Sequence, residues 1–320
     1  HIDADFLAYQ CACPTNDQLT GIKPMPTRTD REAKARYWVE HLTKAAGASG
    51  YVCHITPSGS TKGGRRDQAV QLEYQGNRKD REAPEYLDEV RAYIVRELNG
   101  VPHLYQEADD GLAQAAYESD LNVICSADKD LMMVPGNHLN MAVVDKRAEV
   151  MYFDHGTIGG LTWDGKLRGY GPAWFFAQCL MGDTADNIQG APGVPNGILD
   201  KLSTPMSVQK LMIQAESGKT HISRQNAKSR LEERLQGYQL CGGAKAYAIL
   251  NRCTSIKDMF DKVRGVFQAL EYQCGYEFKH WKTGERVTPT QALLGDMQTL
   301  WMRRSEDPND VIAWLKESTR

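Results

Sequence analysis

The sequence predicts an α/β protein: a mostly parallel sheet with flanking helices, followed by an α-rich C-terminal part. Three observations predict it. Short apolar runs alternate with helical stretches up to about residue 150. Carboxylates recur where those runs end. Beyond about residue 200 the strand-like runs give way to helical periodicity.

The bulk numbers fit a soluble globular chain. Its 320 residues suit one large or two modest domains, and 41% hydrophobic with 25% charged residues is ordinary composition. A net charge of −3 and a pI near 6.3 exclude a globally basic nucleic-acid binder, so any cationic contact surface must be local. There is no apolar run long enough to span a membrane and no signal peptide, which sets the expectation of a cytoplasmic protein. The chain opens at His1 rather than Met, and a few preceding residues are expected. Its eight cysteines contain no C-x-x-C pair and read as reduced thiols, not as a disulfide or zinc framework.

Taken in order, His1 to Tyr9 reads as a buried strand carrying Asp3 and Asp5. Pro14 to Thr29 is a loop, and Thr29-Asp30 opens a helix to about Ala46. Tyr51 to Ile55 is the second strand. The Gly-, Ser- and Thr-rich loop Thr56 to Gly64 begins the densest basic stretch: Lys62, Arg65, Arg66, Arg78, Lys79 and Arg81. Such a run is often only a solvated face, but beside an acidic site it suits phosphates.

Pro84 to Leu98 is a helix stopped by Asn99-Gly100. Val101 to Tyr105 leads to the knot Glu107-Ala108-Asp109-Asp110, which opens another helix through Ala116. One acid in a first turn suits the helix dipole; three in four positions ask for a further reason. Asp120 to Cys125 is a turn and a strand, followed by Asp128 and Asp130. Leu139–Val144 and Glu149–Phe153 are further strands. Gly171 to Leu180 is a short helix before Gly182-Asp183, and Asp186 leads into the glycine-rich turn Gly190–Gly197. Helices are expected over Ser207–Glu216, Ser223–Leu240, Ala244–Leu250, Thr290–Arg303 and Asn309–Leu315.

Eight acids thus come from four segments: Asp3, Glu107, Asp109, Asp110, Asp128, Asp130, Asp183 and Asp186. For Asp5 a helix cap or loop acid is as good a reading as a functional one. Carboxylates at strand ends repel one another unless cations neutralise them. No His or Cys cluster accompanies them, so an all-oxygen site for Mg²⁺, with Mn²⁺ able to substitute, is expected rather than zinc. Two such ions roughly 4 Å apart can activate water and stabilise a leaving oxygen in phosphodiester cleavage.

These residues carry a resemblance. Ile2-Asp3, Tyr74-Gln75-Gly76-Asn77-Arg78, Glu107-Ala108-Asp109-Asp110, Ser126-Ala127-Asp128-Lys129-Asp130 and Gly182-Asp183-Thr184-Ala185-Asp186-Asn187-Ile188-Gln189-Gly190 occur in this order. The set resembles the phage and bacterial 5′-nucleases, flap endonucleases and 5′→3′ exonucleases with a PIN-like nuclease core. The resemblance covers about residues 1–200.

It implies a PIN-like core over 1–180 with a helical gateway near 77–100. It further implies a helix-hairpin-helix-like duplex-binding part over 181–254, while the C-terminal helical extension over 255–320 has no counterpart in the resemblance. Asp3, Glu107, Asp109 and Asp110 would hold a first Mg²⁺; Asp128, Asp130, Asp183 and Asp186 would surround a second. Asp128 and Asp130 would be catalytic, and Arg78 would meet the scissile phosphate. Gly190, Gly193, Val194 and Gly197 would grip duplex phosphates by their backbone, with a bound K⁺. Lys62, Arg65, Arg66, Arg78, Lys79 and Arg81 would contact nucleic acid. The implied partner is DNA with 5′ ends or 5′ flaps, or RNA/DNA hybrid, in phage replication or primer removal in the host cytoplasm.

Three departures accompany it. Gln75 stands where the family has Lys. Ile55-Thr56-Pro57-Ser58 stands where it has an Asp, with Asp67 or Asp5 as possible replacements. Gly193-Val194-Pro195-Asn196-Gly197 replaces G-I-G-x-K. Pro57 and Gln75 motivate an alternative, a flap-binding relative without turnover. A haloacid-dehalogenase-type phosphatase with Asp3 as nucleophile is a further alternative. It leaves the Asp183–Gly193 block unexplained and has Leu7 where Thr or Val is preferred.

Overall fold

A six-stranded sheet in the order β3-β2-β1-β4-β5-β6 organises the first of two compact units. The structure is a computed structural model that describes residues 1–14, 25–79, 82–195, 217, 224, 225, 238, 239 and 241–319. Arg81, Gly197, the helix expected over 207–216 and most of the one over 223–240 lie outside the described residues.

The first unit comprises His1–Asp67, Arg78–Thr157 and Met302–Ile312. Its strands are β1 (Ile2–Asp3), β2 (Cys53–Ile55), β3 (Gly100–Pro102), β4 (Val123–Ser126), β5 (Gly136–Asn140) and β6 (Val150–Phe153). All neighbours are parallel except β6, which runs antiparallel to β5. The register places Asp3 opposite His54 and Ile2 opposite Cys125. The strand order reverses between β1 and β4, and ligands of open α/β sheets bind at such a switch point, outside the carboxyl ends of the strands.

Helix α1 (Ala4–Ala12) follows β1 without a break. The strand expected over His1–Tyr9 is therefore only two residues long. Asp3 is the reason: its carboxylate caps the helix by accepting from the Phe6 amide at 3.1 Å. Helix α2 (Arg28–Ala45) starts at a reciprocal capping box between Thr27 and Asp30, two residues earlier than a cap at Thr29 would allow. Arg65–Gln68 (α3) is a single turn, α4 spans Leu87–Glu97 and α5 spans Ala108–Glu118. Leu7, Val39, Leu42, Ile55, Ile94 and Leu139 are among the fully buried residues that join α1, α2 and α4 to the sheet.

The second unit comprises Gln68–Asn77, Ile158–Trp301 and Ala313–Arg320. It contains the hairpin β7 (Gly160–Trp163) and β8 (Leu167–Tyr170), then α6 (Gly171–Met181). Helices α7 (Gly243–Leu250), α8 (Ile256–Cys274) and α9 (Pro289–Leu300) follow. Two short strands, β9 (Val194–Pro195) and β10 (Tyr238–Gln239), pair antiparallel, so residues expected to end a helix are strand instead. Helix α6 is apolar on nearly every side and correspondingly buried. Phe175 and Phe176 lie in a cluster with Trp301 and Trp314, whose rings stack with centroids 4.5 Å apart. The compact units interleave along the chain.

Candidate metal centre

The carboxyl ends of β1 and β4 are adjacent, and each delivers a carboxylate. Asp3 ends β1 and is 5% exposed. One oxygen accepts from the Phe6 amide and the other from the Ser126 hydroxyl at 2.8 Å, so its orientation is set from both strands. The Ser126 oxygen also accepts the Asp128 amide at 2.9 Å, and Asp128 accepts the Asp130 amide at 2.8 Å. The Ser126-x-Asp128-x-Asp130 spacing thus builds a turn that presents Asp128 to solvent while Asp130 is buried, bonded to Lys129 at 2.8 Å.

Asp109, in the first turn of α5, faces this corner. It has no hydrogen-bond or ion-pair partner among the described residues. Burial pushes its pKa well above the carboxylate range, and the charges of Asp3, Asp128, Glu107 and Asp5 push it further. Asp3 is pushed up to about 6, first by burial and then by Asp5 and Asp128, against the opposing bonds from Ser126 and Phe6. No cation partner of Asp3 is present among the described residues. Asp3, Asp109 and Asp128 therefore form a mutually repelling group. Among the described residues no three His, Cys, Asp or Glu side chains close on one point, so the acids are gathered but not drawn together. The donor set is oxygen only, the ligand chemistry of a hard divalent cation.

Two other acids of the same knot have a different task. Asp110 is fully buried and accepts both guanidinium nitrogens of Arg65 at 2.7 Å. It also accepts the amides of Arg303 at 3.0 Å and Glu107 at 3.2 Å. Arg65 holds its carboxyl below the usual range even against the cost of burial. Glu107 pairs with Arg65 at 3.0 Å and Lys62 at 3.5 Å. Asp110, expected from the sequence as a metal ligand, is here the internal counter-charge of Arg65. Arg65, expected from the sequence as a nucleic-acid contact, is 1% exposed and is the cation that makes burial of Asp110 tolerable. The Arg303 guanidinium donates to the Gly63 carbonyl at 2.8 Å, and a Cβ at Gly63 would meet it at 2.0 Å.

Asp5 accepts the Thr56 amide at 3.0 Å and pairs with Arg91 at 3.3 Å. The Thr56 hydroxyl accepts the Ala108 amide at 2.8 Å, so the segment before Pro57 fastens the start of α5. Beside Asp3, His54 bonds His1 and His103, each at 2.9 Å, and Gln106 bonds His103 at 3.1 Å. Burial holds His54 down to about 3, hence neutral. Gly111 makes room for this chain, since a Cβ there would lie 2.4 Å from His103. Neither the histidine chain nor the Arg65–Asp110 pair was legible from spacing; the one available signal was an arginine pair facing an excess of acids.

Arg66, Arg78 and Lys79 are exposed, and Lys62 is partly buried against Glu107. The second unit holds its own acidic loop. Asp183 is buried and accepts the Ala185 amide at 2.7 Å, while its backbone exchanges two hydrogen bonds with Ile188. Asp186 accepts Gln75 Nε2 at 2.9 Å and lies 3.5 Å from the Tyr74 hydroxyl. Gln75 therefore serves as a neutral donor to Asp186. Gly190, Gly193 and Val194 follow on the described part of the turn.

No family model matches the sequence, and no curated protein sequence matches it. Solved structures similar to this chain come from bacteriophage T5. One is a protein co-crystallised with metal ions, at 13% identity, covering 93% of this chain and 97% of that one with a TM-score of 0.40. Another is a 5′-exonuclease mutant, at 13% identity, covering 83% and 96% with a TM-score of 0.37. A third is a flap endonuclease in a pseudo-enzyme–product complex with DNA and metal ions, at 15% identity, covering 85% and 93% with a TM-score of 0.39.

Proposed function

We infer that the chain is a divalent-cation-dependent 5′-nuclease that hydrolyses phosphodiester bonds in DNA, or in RNA paired to DNA, from a 5′ end or at a 5′ flap. One observation carries the reading: Asp3, Asp109 and Asp128 are gathered at the switch point of a parallel sheet, and Asp109 lacks any neutralising partner among the described residues. Like charges held together are costly, and a divalent cation removes that cost. The motif order in the sequence supports the choice of reaction.

Asp3, Asp109 and Asp128 are the proposed carboxylates of the first unit for Mg²⁺, with Mn²⁺ as substitute. Asp183 and Asp186 are proposed as cation carboxylates of the second unit's loop. When bound, such ions activate water and stabilise charge on the phosphate. The chain's own part is orientation. Ser126 and the Phe6 amide aim the two oxygens of Asp3. Arg65 keeps Asp110 and Glu107 compensated. Arg66, Arg78 and Lys79 offer exposed charge to phosphates. The turn after Gly190, with K⁺, is the proposed duplex contact. The products would carry 5′-phosphate and 3′-hydroxyl ends.

The test is a 5′-flap duplex labelled on the flap strand, incubated with Mg²⁺, with EDTA, and with Asp109→Asn/Asp128→Asn protein. Cleavage by the unaltered protein in Mg²⁺ alone is expected, and product length separates trimming from flap cutting. Flap binding without cleavage in Mg²⁺ or Mn²⁺ would instead favour a binding relative without turnover. Internal compensation of Glu107 and Asp110 is the observation that keeps that second reading in view.

A further inference from the structure

The second unit contains a fully buried carboxylate that the nuclease reading does not use. Asp296 lies in α9, is 3% exposed and has no cationic partner among the described residues. It accepts Gln71 Nε2 at 2.6 Å and the Gly190 amide at 3.0 Å. Gln71 Nε2 also donates to the Gly190 carbonyl at 3.0 Å. Both backbone polar groups of Gly190 are therefore held by this pair of side chains.

Gly190 is the pivot of the acidic loop. Gly182 and Gly190 have φ of +69° and +67°, and a Cβ on Gly190 would lie 2.2 Å from the Gly182 nitrogen. The loop between them is pinched shut by the Asp183–Ile188 bridge. Its far side is tied to the segment 71–77. The Gln75 amide donates to the Asp186 carbonyl at 2.8 Å, and Gln75 Nε2 reaches the Asp186 carboxylate. Asn187 donates to the Glu73 carbonyl at 2.9 Å, and Asn77 to the Thr184 carbonyl at 2.7 Å.

That segment is in turn fastened by the C-terminal part of the unit. The Trp281 amide donates to the Val70 carbonyl at 2.8 Å and its indole to the Ala69 carbonyl at 3.0 Å. Gly295 lets α9 lie against Val70, since a Cβ there would meet that side chain at 2.5 Å. Asp296, the next residue, can then reach Gln71.

The geometry points to Asp296 as a positioning residue that sets the Asp183–Asp186 loop through Gly190 and Gln71. This inference rests on the nuclease reading for its catalytic consequence, but not for its structural one. Helix α9 thereby becomes a supporting element of the acidic loop. A neutral acceptor at this position serves as well as a carboxylate, because both donors are neutral.

The test compares Asp296→Ala, Asp296→Asn and Gln71→Leu in the full chain by amide hydrogen exchange and by flap cleavage. In Asp296→Ala the amides of 183–190 should exchange about tenfold faster or more, as expected for loss of a buried hydrogen bond. Asp296→Asn should restore protection, and Gln71→Leu should reproduce the loss. Cleavage by Asp296→Ala should show kcat lowered with KM unchanged, again restored in Asp296→Asn. Unchanged exchange in 183–190 would overturn the inference. So would acceleration spread evenly through α6 and α8, or an Asn variant as impaired as the Ala variant. If the unaltered protein cleaves nothing, the nuclease reading fails while the exchange result still decides the role of Asp296. If Asp296→Ala does not fold, Gln71→Leu decides it by the same measurement.

Discussion

Asp109 and Asp110 are neighbours in sequence with opposite electrostatic fates. Asp110 is matched by Arg65 in a two-pronged pair; Asp109 faces other acids. The buried pair makes a direct prediction. Arg65→Met leaves Asp110 charged and buried, and should cost about 3–5 kcal/mol in denaturant unfolding. A phosphate-contacting arginine at the surface would show almost no such loss. Asp3 makes a second prediction. Its folded pKa of about 6 exceeds the ordinary 3.8, so the cation-free native state binds the proton more tightly than the unfolded chain. The stability it contributes is complete below 3.8 and is lost as pH rises through about 6. A divalent cation competes with that proton. The rise in melting temperature caused by Mg²⁺ or Mn²⁺ should therefore be larger above pH 6 than below it.

Elements decide how much of this was legible beforehand. Asp128 and Asp130 follow an apolar run with β-branched residues, and the strand they end is where the sequence places it, over Val123–Ser126. The first strand was misjudged because Ile2, Phe6 and Leu7 satisfy a strand as well as a helix over so short a stretch. What chooses between them is the Asp3 side chain, which caps α1 while ending β1. Arg65 looked like a surface cation because burial of an arginine has no periodic signature; only its partner reveals it. Asp296 gave no signal at all, being one acid in a helix whose reach depends on Gly295.

Strand β5 carries the pH prediction at this scale. His138 is buried with its ring nitrogen 2.9 Å from the Val134 carbonyl, and burial holds it down to about 4. A lowered histidine contributes stability that is present above 6.5 and lost as pH falls through about 4. That loss is about 3 kcal/mol for a shift of this size, and His138→Gln should flatten it in urea titrations across the same range. The tight loop carries another. Gly182→Ala places a Cβ 2.3 Å from the Ile188 carbonyl oxygen at a φ that favours glycine, and should open the Asp183–Ile188 bridge. Faster exchange of the Asp183 and Ile188 amides is the readout.

At the scale of the whole chain, its last segments belong to the architecture of each unit rather than to an appendage. Met302–Ile312 returns to the first unit, where the Arg303 amide completes the shell of Asp110. Helix α9 supports the acidic loop of the second unit. No helix among the described residues is long and apolar enough to cross a membrane. The acids gathered at the switch point of the first unit's sheet are the proposed site of a divalent cation. The most direct measurement is Mn²⁺ binding followed by electron paramagnetic resonance, for the unaltered protein and for Asp109→Asn/Asp128→Asn. Saturable uptake by the unaltered protein and marked weakening in the double variant, with its folded state retained, are expected. No uptake by the unaltered protein, or equal uptake by both, would contradict the proposed site.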